Sequence, residues 1–75
     1  MQTIGDEPVY EVFARRAKGE PLRHVGSVAA PGDALARVYA RRIYDEESWL
    51  EMYVVPRGAM LAVDDVRTEA VDAHA

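Results

Sequence analysis

Two stretches near the start of the chain alternate between apolar and polar positions and are rich in β-branched and aromatic residues. Residues 8–16 (PVYEVFARR) and residues 22–29 therefore predict two β-strands. The segment between them contains Gly19 and Pro21, which favour a turn, so we expect an antiparallel hairpin. Residues 49–55 (WLEMYVV) have the strongest strand pattern in the chain.

A helix is predicted between the second and third strands, because apolar residues recur there with helical spacing. These residues are Leu35, Val38, Tyr39 and Ile43. Asp33 precedes them and can cap a helix over about residues 34–44. Residues 61–63 are the candidate for a short fourth strand. The order β-β-α-β predicts an α+β fold, in which one helix packs on one face of a small antiparallel sheet.

The length of 75 residues predicts one small domain, with an ordered core over about residues 8–63 and an acidic tail over 64–75. A domain of this size buries only about 60% of its unfolded surface, so it is marginally stable without added support. The chain has no cysteine. His24 and His74 do not form a ligand-type sequence motif for a metal. We therefore expect stabilisation by other chains, including a homo-oligomer when the chain is alone.

The charge of the chain bears on its partners and location. A formal net charge of -4 argues against a nucleic-acid partner, which would favour a basic surface. The first residues do not form a signal peptide, and the apolar runs are too short to span a bilayer. The expectation is a cytoplasmic protein with no membrane contact.

Strand alternation assigns side chains to the two faces of the sheet. One face is wholly apolar and should lie under the helix; it carries Tyr10, Val12, Ala14, Leu50, Met52 and Val54. The other face is mixed and carries Val9, Glu11, Phe13, Arg15, Trp49, Glu51, Tyr53 and Val55. So many apolar residues on a second face indicate a protein interface. The alternative is that the chain's own C-terminal segment covers this face.

The candidate interface residues are Phe13, Arg15, His24, Arg42, Trp49 and Tyr53. Arg42 falls within the apolar stripe of the helix, where its stem can lie over the core or its guanidinium can bind a partner's carboxylate. His24 has no carboxylate, nucleophile or metal ligand fixed beside it, and Ser27, three residues on, is predicted on the opposite face. We therefore predict no catalytic, cofactor-binding or metal-binding residue, and Gly26 is expected to give room to a large neighbour.

Four short segments, YEVFARR, RHVGS, ALARVYARR and YVVP, occur in this order over about residues 10–60. Together they resemble the B subunit of the phenylacetyl-CoA epoxidase, a multicomponent monooxygenase of phenylacetate degradation. The matching positions are Tyr10, Glu11, Phe13, Arg16, His24, Val25, Gly26, Ser27, Tyr39, Arg41, Arg42 and Val54. The resemblance implies a bridging subunit with no catalytic residues and no cofactor of its own. Its implied partners are a di-iron catalytic subunit, the ferritin-like partner of that subunit and a reductase.

Two alternatives remain at the level of the sequence. The first is a small enzyme of the cofactor-free monooxygenase type, which requires a pocket between sheet and helix lined by groups such as His24 and Tyr39. The second is a ligand-binding homodimer. Both share the predicted sheet-and-helix architecture.

Overall fold

The computed structural model describes residues 7–64. In this part of the chain there are three strands, one α-helix and one 3₁₀ turn. Their bounds are β1 Val9–Arg15, β2 Arg23–Ala29, α1 Asp33–Ile43, β3 Glu51–Pro56 and the 3₁₀ turn Arg57–Ala59. The predicted acidic tail lies outside the described residues, apart from Asp64.

The strands form one antiparallel sheet in the order β2-β1-β3. The predicted α+β fold and hairpin are therefore confirmed. The fourth strand suggested over residues 61–63 is wrong, because the 3₁₀ turn follows β3 directly, Leu61 and Ala62 have no strand pairing, and Val63 is in helical conformation. A strand there would need a face to bury, yet Leu61 is 88% exposed and Val63 is 77% exposed.

The core lies between the sheet and α1. The predicted apolar face of β1 is confirmed, since Tyr10, Val12 and Ala14 are all buried. Met52 and Val54 of β3 pack against this core from the side. Val12 is the largest side chain that is almost fully enclosed among the described residues. A core this thin agrees with the marginal stability expected for so short a chain.

The face of α1 that contacts the sheet differs from the predicted one. Ala36 and Ala40 are buried, whereas Leu35, Val38 and Ile43 remain 42%, 48% and 57% exposed. Alanine side chains let the helix backbone lie close to the sheet, and the larger residues beside them are then left at the margin of the contact. Of the predicted stripe, only Tyr39 packs against the core.

Asp33 does not cap the helix as predicted. Gly32 is the N-cap residue and makes no side-chain cap bond, while Asp33 is the first residue of α1. The carboxylate of Asp33 instead accepts a hydrogen bond from the Tyr10 hydroxyl at 2.7 Å. This bond and the negative charge of Asp33 raise the pKa of Tyr10. The bond ties the start of α1 to the central strand.

A β-bulge in β2 allows Tyr44 to lie against that strand. Val12 pairs with Gly26 and Phe13 with His24, so Val25 is the extra residue. The Tyr44 hydroxyl donates to the Ser27 carbonyl and accepts from the Ser27 N–H, both at 3.1 Å. A Cβ on Gly26 would lie 2.0 Å from the Tyr44 oxygen. Gly26 therefore gives room to a large neighbour, as predicted.

We expect Tyr44→Phe to lower the free energy of unfolding by about 1 kcal/mol, because it removes the hydroxyl that satisfies two backbone groups of β2. Urea denaturation followed by circular dichroism would measure the change. Tyr53→Phe is the matched control, since the Tyr53 hydroxyl makes only a 3.3 Å bond to Glu51 at the surface. Equal losses in the two variants would contradict the role given to Tyr44.

The third strand begins two residues later than predicted, and this moves Trp49 and Leu50 out of the sheet faces. The Trp49 indole N–H donates to the Tyr44 carbonyl at 2.6 Å, just beyond the last turn of α1. Leu50 is 53% exposed instead of lying under the helix. An indole N–H needs an acceptor when partly buried, and the carbonyl groups at a helix end need donors. This mutual need places Trp49 at the helix end.

No helix within residues 7–64 is long and apolar enough to cross a membrane.

Candidate interface on the open sheet face

The sheet face opposite α1 is the candidate site, and we call it the open face. Cross-strand pairing brings its residues together, because paired residues in an antiparallel sheet point to the same side. Glu11 pairs with Ser27 and Val55, Phe13 with His24 and Tyr53, and Arg15 with Glu51. Val9 completes this face at the start of β1.

The centre of the open face is aromatic. Phe13 lies between its two strand neighbours, and its ring centroid is 5.2 Å from that of His24 with the planes tilted by 47°. Tyr53, on the other side of Phe13, is 50% exposed. A shallow groove continues from Phe13 and Tyr53 to Pro21 and Leu22 of the hairpin connection. Aromatic and aliphatic side chains thus form one continuous surface.

Glu11 lies beside this aromatic centre and is only 8% exposed. Both of its carboxylate oxygens have partners: His24 Nε2 is 2.7 Å from Oε1, and Arg57 Nε is 2.5 Å from Oε2. The hydrogen bond from Arg57 is the main reason that the pKa of Glu11 is lowered, and the bond from His24 acts in the same direction. The central strand therefore holds an ionised carboxylate that is paired with the Arg57 guanidinium on one oxygen and in hydrogen-bond contact with His24 on the other.

A second ion pair lies at the other end of β1. Arg15 forms a two-point contact with Glu51, with Nε to Oε1 at 3.0 Å and Nη2 to Oε2 at 2.9 Å. This contact lowers the pKa of Glu51 and raises that of Arg15. Planar Arg–carboxylate pairs of this kind fix both side chains in one geometry. The charges of Arg15 and Glu51 are thereby held at the edge of the aromatic centre.

The structure divides the predicted interface residues into two groups. Phe13, Arg15, His24 and Tyr53 lie together on the open face. Trp49 does not, because it lies at the end of α1. Arg42 is exposed on α1, which packs on the other side of the sheet, so its stem does not lie over the core.

A comparison with known protein families finds one that matches this chain. Residues 6–75 match the family described as PaaB, Phenylacetic acid degradation B. The chain belongs to the PaaB family. The match covers the whole sheet, the helix and all the residues of the open face. The comparison with curated proteins gives no match.

A solved structure supports the same assignment. The chain is similar to a phenylacetate-CoA oxygenase subunit PaaB from Ralstonia eutropha JMP134, whose crystal structure was determined at 2.65 Å resolution. The two sequences are 34% identical, and the TM-score is 0.63. The similarity covers 76% of this chain and 94% of that one. Recognition of the family from the four sequence segments is therefore confirmed.

Two predictions about His24 in this PaaB-family chain are wrong. No carboxylate partner was predicted for His24, but Glu11 on the neighbouring strand provides one. His24 and Ser27 were expected on opposite faces, but the bulge adds a residue between them, so both pair with residues of the open face. No hydrogen bond joins their side chains in the described part of the chain. Ser27 bonds to Tyr44 through its backbone, and His24 bonds to Glu11.

Glu11 and Arg57 are functional candidates that were missed at the level of the sequence. Glu11 had a detectable signal, because it is a single acidic residue in an otherwise apolar stretch of a central strand. Arg57 had none, since only the fold shows that the 3₁₀ turn after β3 returns it to Glu11, 46 residues earlier in the chain. Their ion pair fixes the chain after β3 against the central strand.

Because the pKa values of Glu11 and Glu51 are lowered in the folded chain, the free energy of unfolding depends on pH in the acidic range. A carboxylate whose pKa is depressed in the folded state stabilises the fold fully above its unfolded pKa, about 4.3 for glutamate. That stabilisation is lost as the pH falls through the folded-state value. We therefore expect the free energy of unfolding to drop between about pH 5 and pH 3, and Glu11→Gln to make this drop shallower. Urea denaturation at each pH measures it, and an unchanged slope in Glu11→Gln would contradict the role of Glu11.

Proposed function

We propose that this PaaB-family chain is a non-catalytic structural subunit of a phenylacetyl-CoA oxygenase assembly in phenylacetate degradation. The observation that carries the proposal is the open face, a continuous aromatic and aliphatic surface on a chain of this family. Surfaces of this composition are typical of protein interfaces. The open face is where the chain contacts another oxygenase subunit.

The charges of the open face support docking of a protein. The charge of Glu11 is paired with Arg57, and that of Arg15 with Glu51, before any partner arrives, and His24 contacts the second carboxylate oxygen of Glu11. Covering an ion pair that is already hydrogen-bonded is less unfavourable than covering an isolated charge. A partner can therefore lie over Phe13 without leaving an uncompensated charge beneath it.

The same pairing supports a structural role for His24. Its Nε2 is engaged by Glu11, and its ring packs on Phe13. Both contacts orient the imidazole within the open face. We assign His24 to interface geometry, together with Phe13, Arg15 and Tyr53. The assignment of Arg42 to an interface remains a prediction, for a surface on the helix side.

The partners follow from the family resemblance. They are the di-iron catalytic subunit, its ferritin-like partner and, at the margin of the assembly, the reductase. Substrate choice and oxygen chemistry belong to those partners in this proposal. In the absence of these partners, the open face of one chain would pack against the open face of another and form a homo-oligomer. The complete oxygenase assembly would operate in the cytoplasm.

The cofactor-free enzyme alternative requires a pocket between sheet and helix that contains His24. In the structure, His24 lies on the open face, and Tyr10, Val12, Ala36 and Ala40 fill the contact under the helix. The geometry gives that alternative no support. Nothing in the described residues favours the ligand-binding homodimer over the subunit.

Co-purification tests the proposal. The tagged full chain is expressed with the di-iron and ferritin-like oxygenase subunits from its own source, and the complex is isolated by size exclusion. We expect a stable complex that contains all three chains, and oxygenase activity that disappears when the di-iron ligands of the partner are removed. A chain that elutes alone would contradict the proposal. Activity of the isolated chain on phenylacetyl-CoA would contradict its non-catalytic part.

A further inference from the structure

The two outer strands of the sheet differ in how their free edges are occupied. On β2, the outward N–H and C=O of Ser27 are both bonded by the Tyr44 hydroxyl, and the bulge at Val25 interrupts the strand nearby. Such features block the addition of another strand. On β3 there is no corresponding cover within residues 7–64. The sheet is therefore protected at one edge and open at the other.

The pairing identifies the unbonded groups of β3. Because Ser27 points its backbone groups outward, its partner Glu11 points its own toward β3, where it pairs with Val55. Successive residues of a strand alternate in this direction. Tyr53 and Val55 thus bond to β1, while Met52 and Val54 point their N–H and C=O groups away from the sheet. No partner for these outward groups occurs among the described residues.

A groove lies next to this open edge, between β3 and the helix. Val38 of α1 and Met52 and Val54 of β3 provide its apolar surface, with Ala34 and Ala40 beside them. Val38 is 48% exposed. A strand added beside β3 would place every second side chain in this groove. The open backbone groups and the apolar groove would then be satisfied by the same segment.

Two arginines line the helix side of the groove. Arg37 and Arg41 lie four residues apart, so they share one side of α1. Neither forms an ion pair with any carboxylate in residues 7–64. Arginine binds carboxylates through its planar fork of donors. The groove therefore combines an apolar floor with two available guanidinium groups.

We infer that the β3 edge binds an extended segment of another oxygenase subunit as a fourth strand. The segment has aliphatic residues facing the groove and one or two Asp or Glu residues on the same side, which pair with Arg37 and Arg41. This inference rests on the proposed function, since the strand comes from a partner subunit. The β3 edge is then a second contact surface, on the helix side of the sheet, in addition to the open face. With these two surfaces, one small chain could bridge two partners.

Charge complementarity favours a partner subunit over a second copy. If the β3 strand of a second copy were added, Met52 and Val54 would face the groove, but Glu51 lies on the open face and pairs with Arg15. The two arginines would then stay without carboxylates. A heterologous segment with acidic residues satisfies the backbone edge, the apolar floor and the charges together.

Hydrogen exchange of individual amides tests this inference on the full chain, alone and in the complex with the oxygenase subunits. In the free chain, the amides of Met52 and Val54 should exchange faster than those of Tyr53 and Val55. In the complex, they should exchange at least tenfold more slowly than in the free chain. Arg41→Glu should weaken the complex at least tenfold, whereas Arg23→Glu, the same charge reversal at the far edge strand, should leave it intact.

Each other result would overturn the inference in a distinguishable way. A complex in which Met52 and Val54 still exchange rapidly would refute the added strand but leave the proposed function standing. Failure of the complex to form would refute both. Protection already present in the free chain would assign the edge to another occupant: a second copy if the protection rises with chain concentration, or the chain's own residues 65–75 if their deletion removes it.

Discussion

Gly26→Ala is expected to destabilise the chain by about 2–4 kcal/mol, through overpacking and lost hydrogen bonds together. A Cβ at this position would lie 2.0 Å from the Tyr44 oxygen and 2.5 Å from the ring carbon that carries it. The ring must move, and its two bonds to Ser27 are then lost. Since small domains have little stability to spare, urea denaturation should show a large fraction of Gly26→Ala chains unfolded without denaturant.

Two controls separate this clash from a general intolerance of alanine. Gly58→Ala introduces the same methyl group where no atom lies within 4 Å, so its free energy of unfolding should change little. In a Tyr44→Ala background the obstructing ring is absent, so Gly26→Ala should cost less than it does alone, and the part that remains is the backbone strain of a residue with a side chain at a φ of 158°. Additive effects of Gly26→Ala and Tyr44→Ala would show that the two positions do not interact.

The sequence predicts the sheet better than it predicts the contact of the helix. In β1 the alternation of residues identifies the buried face without ambiguity, because only Tyr10, Val12 and Ala14 form a continuous apolar face. These three residues are the buried ones. In α1 a larger stripe, with Leu35 and Val38, competes with two alanines. Hydrophobicity alone favours the larger residues, but close approach of the helix to the sheet favours Ala36 and Ala40. The distance between the helix and the sheet decides which of these residues are buried, and no local sequence pattern indicates that distance.

The candidate site was predicted only as far as strand alternation reaches. Phe13, Arg15 and Tyr53 were placed on one face because the period of two holds throughout β1 and β3. Alternation failed in β2, where the bulge at Val25 shifts the register. It also could not show that Glu11 meets His24 and Arg57, because those contacts depend on strand order and on the turn after β3. Non-local contacts of this kind become visible only in the folded chain.

Trp49→Lys and Phe13→Lys are expected to separate stability from assembly. The Trp49 side chain closes the end of α1 through its bond to the Tyr44 carbonyl. Trp49→Lys should therefore lower the free energy of unfolding of the isolated chain by about 2 kcal/mol, from the lost bond and lost burial. Phe13→Lys should lower it by only about 1 kcal/mol, because the residue is on a half-exposed face and the change is mainly one of strand preference.

Phe13→Lys should instead have its main effect on the complex with the oxygenase subunits. A central aromatic residue of an interface contributes about 2 kcal/mol or more when it is lost, which corresponds to roughly a 30-fold weaker affinity. The added ammonium group would also lie under the partner with no carboxylate free to pair with it, since Glu11 and Glu51 are already engaged. Titration calorimetry with the purified partner subunits measures the affinity, and urea denaturation of the free chain measures stability. Phe13 lies at the centre of the open face, whereas Trp49 lies outside it. The two variants should therefore be compared at equal concentrations of folded chain. If Phe13→Lys then weakened the complex no more than Trp49→Lys, the open face would not be the docking surface.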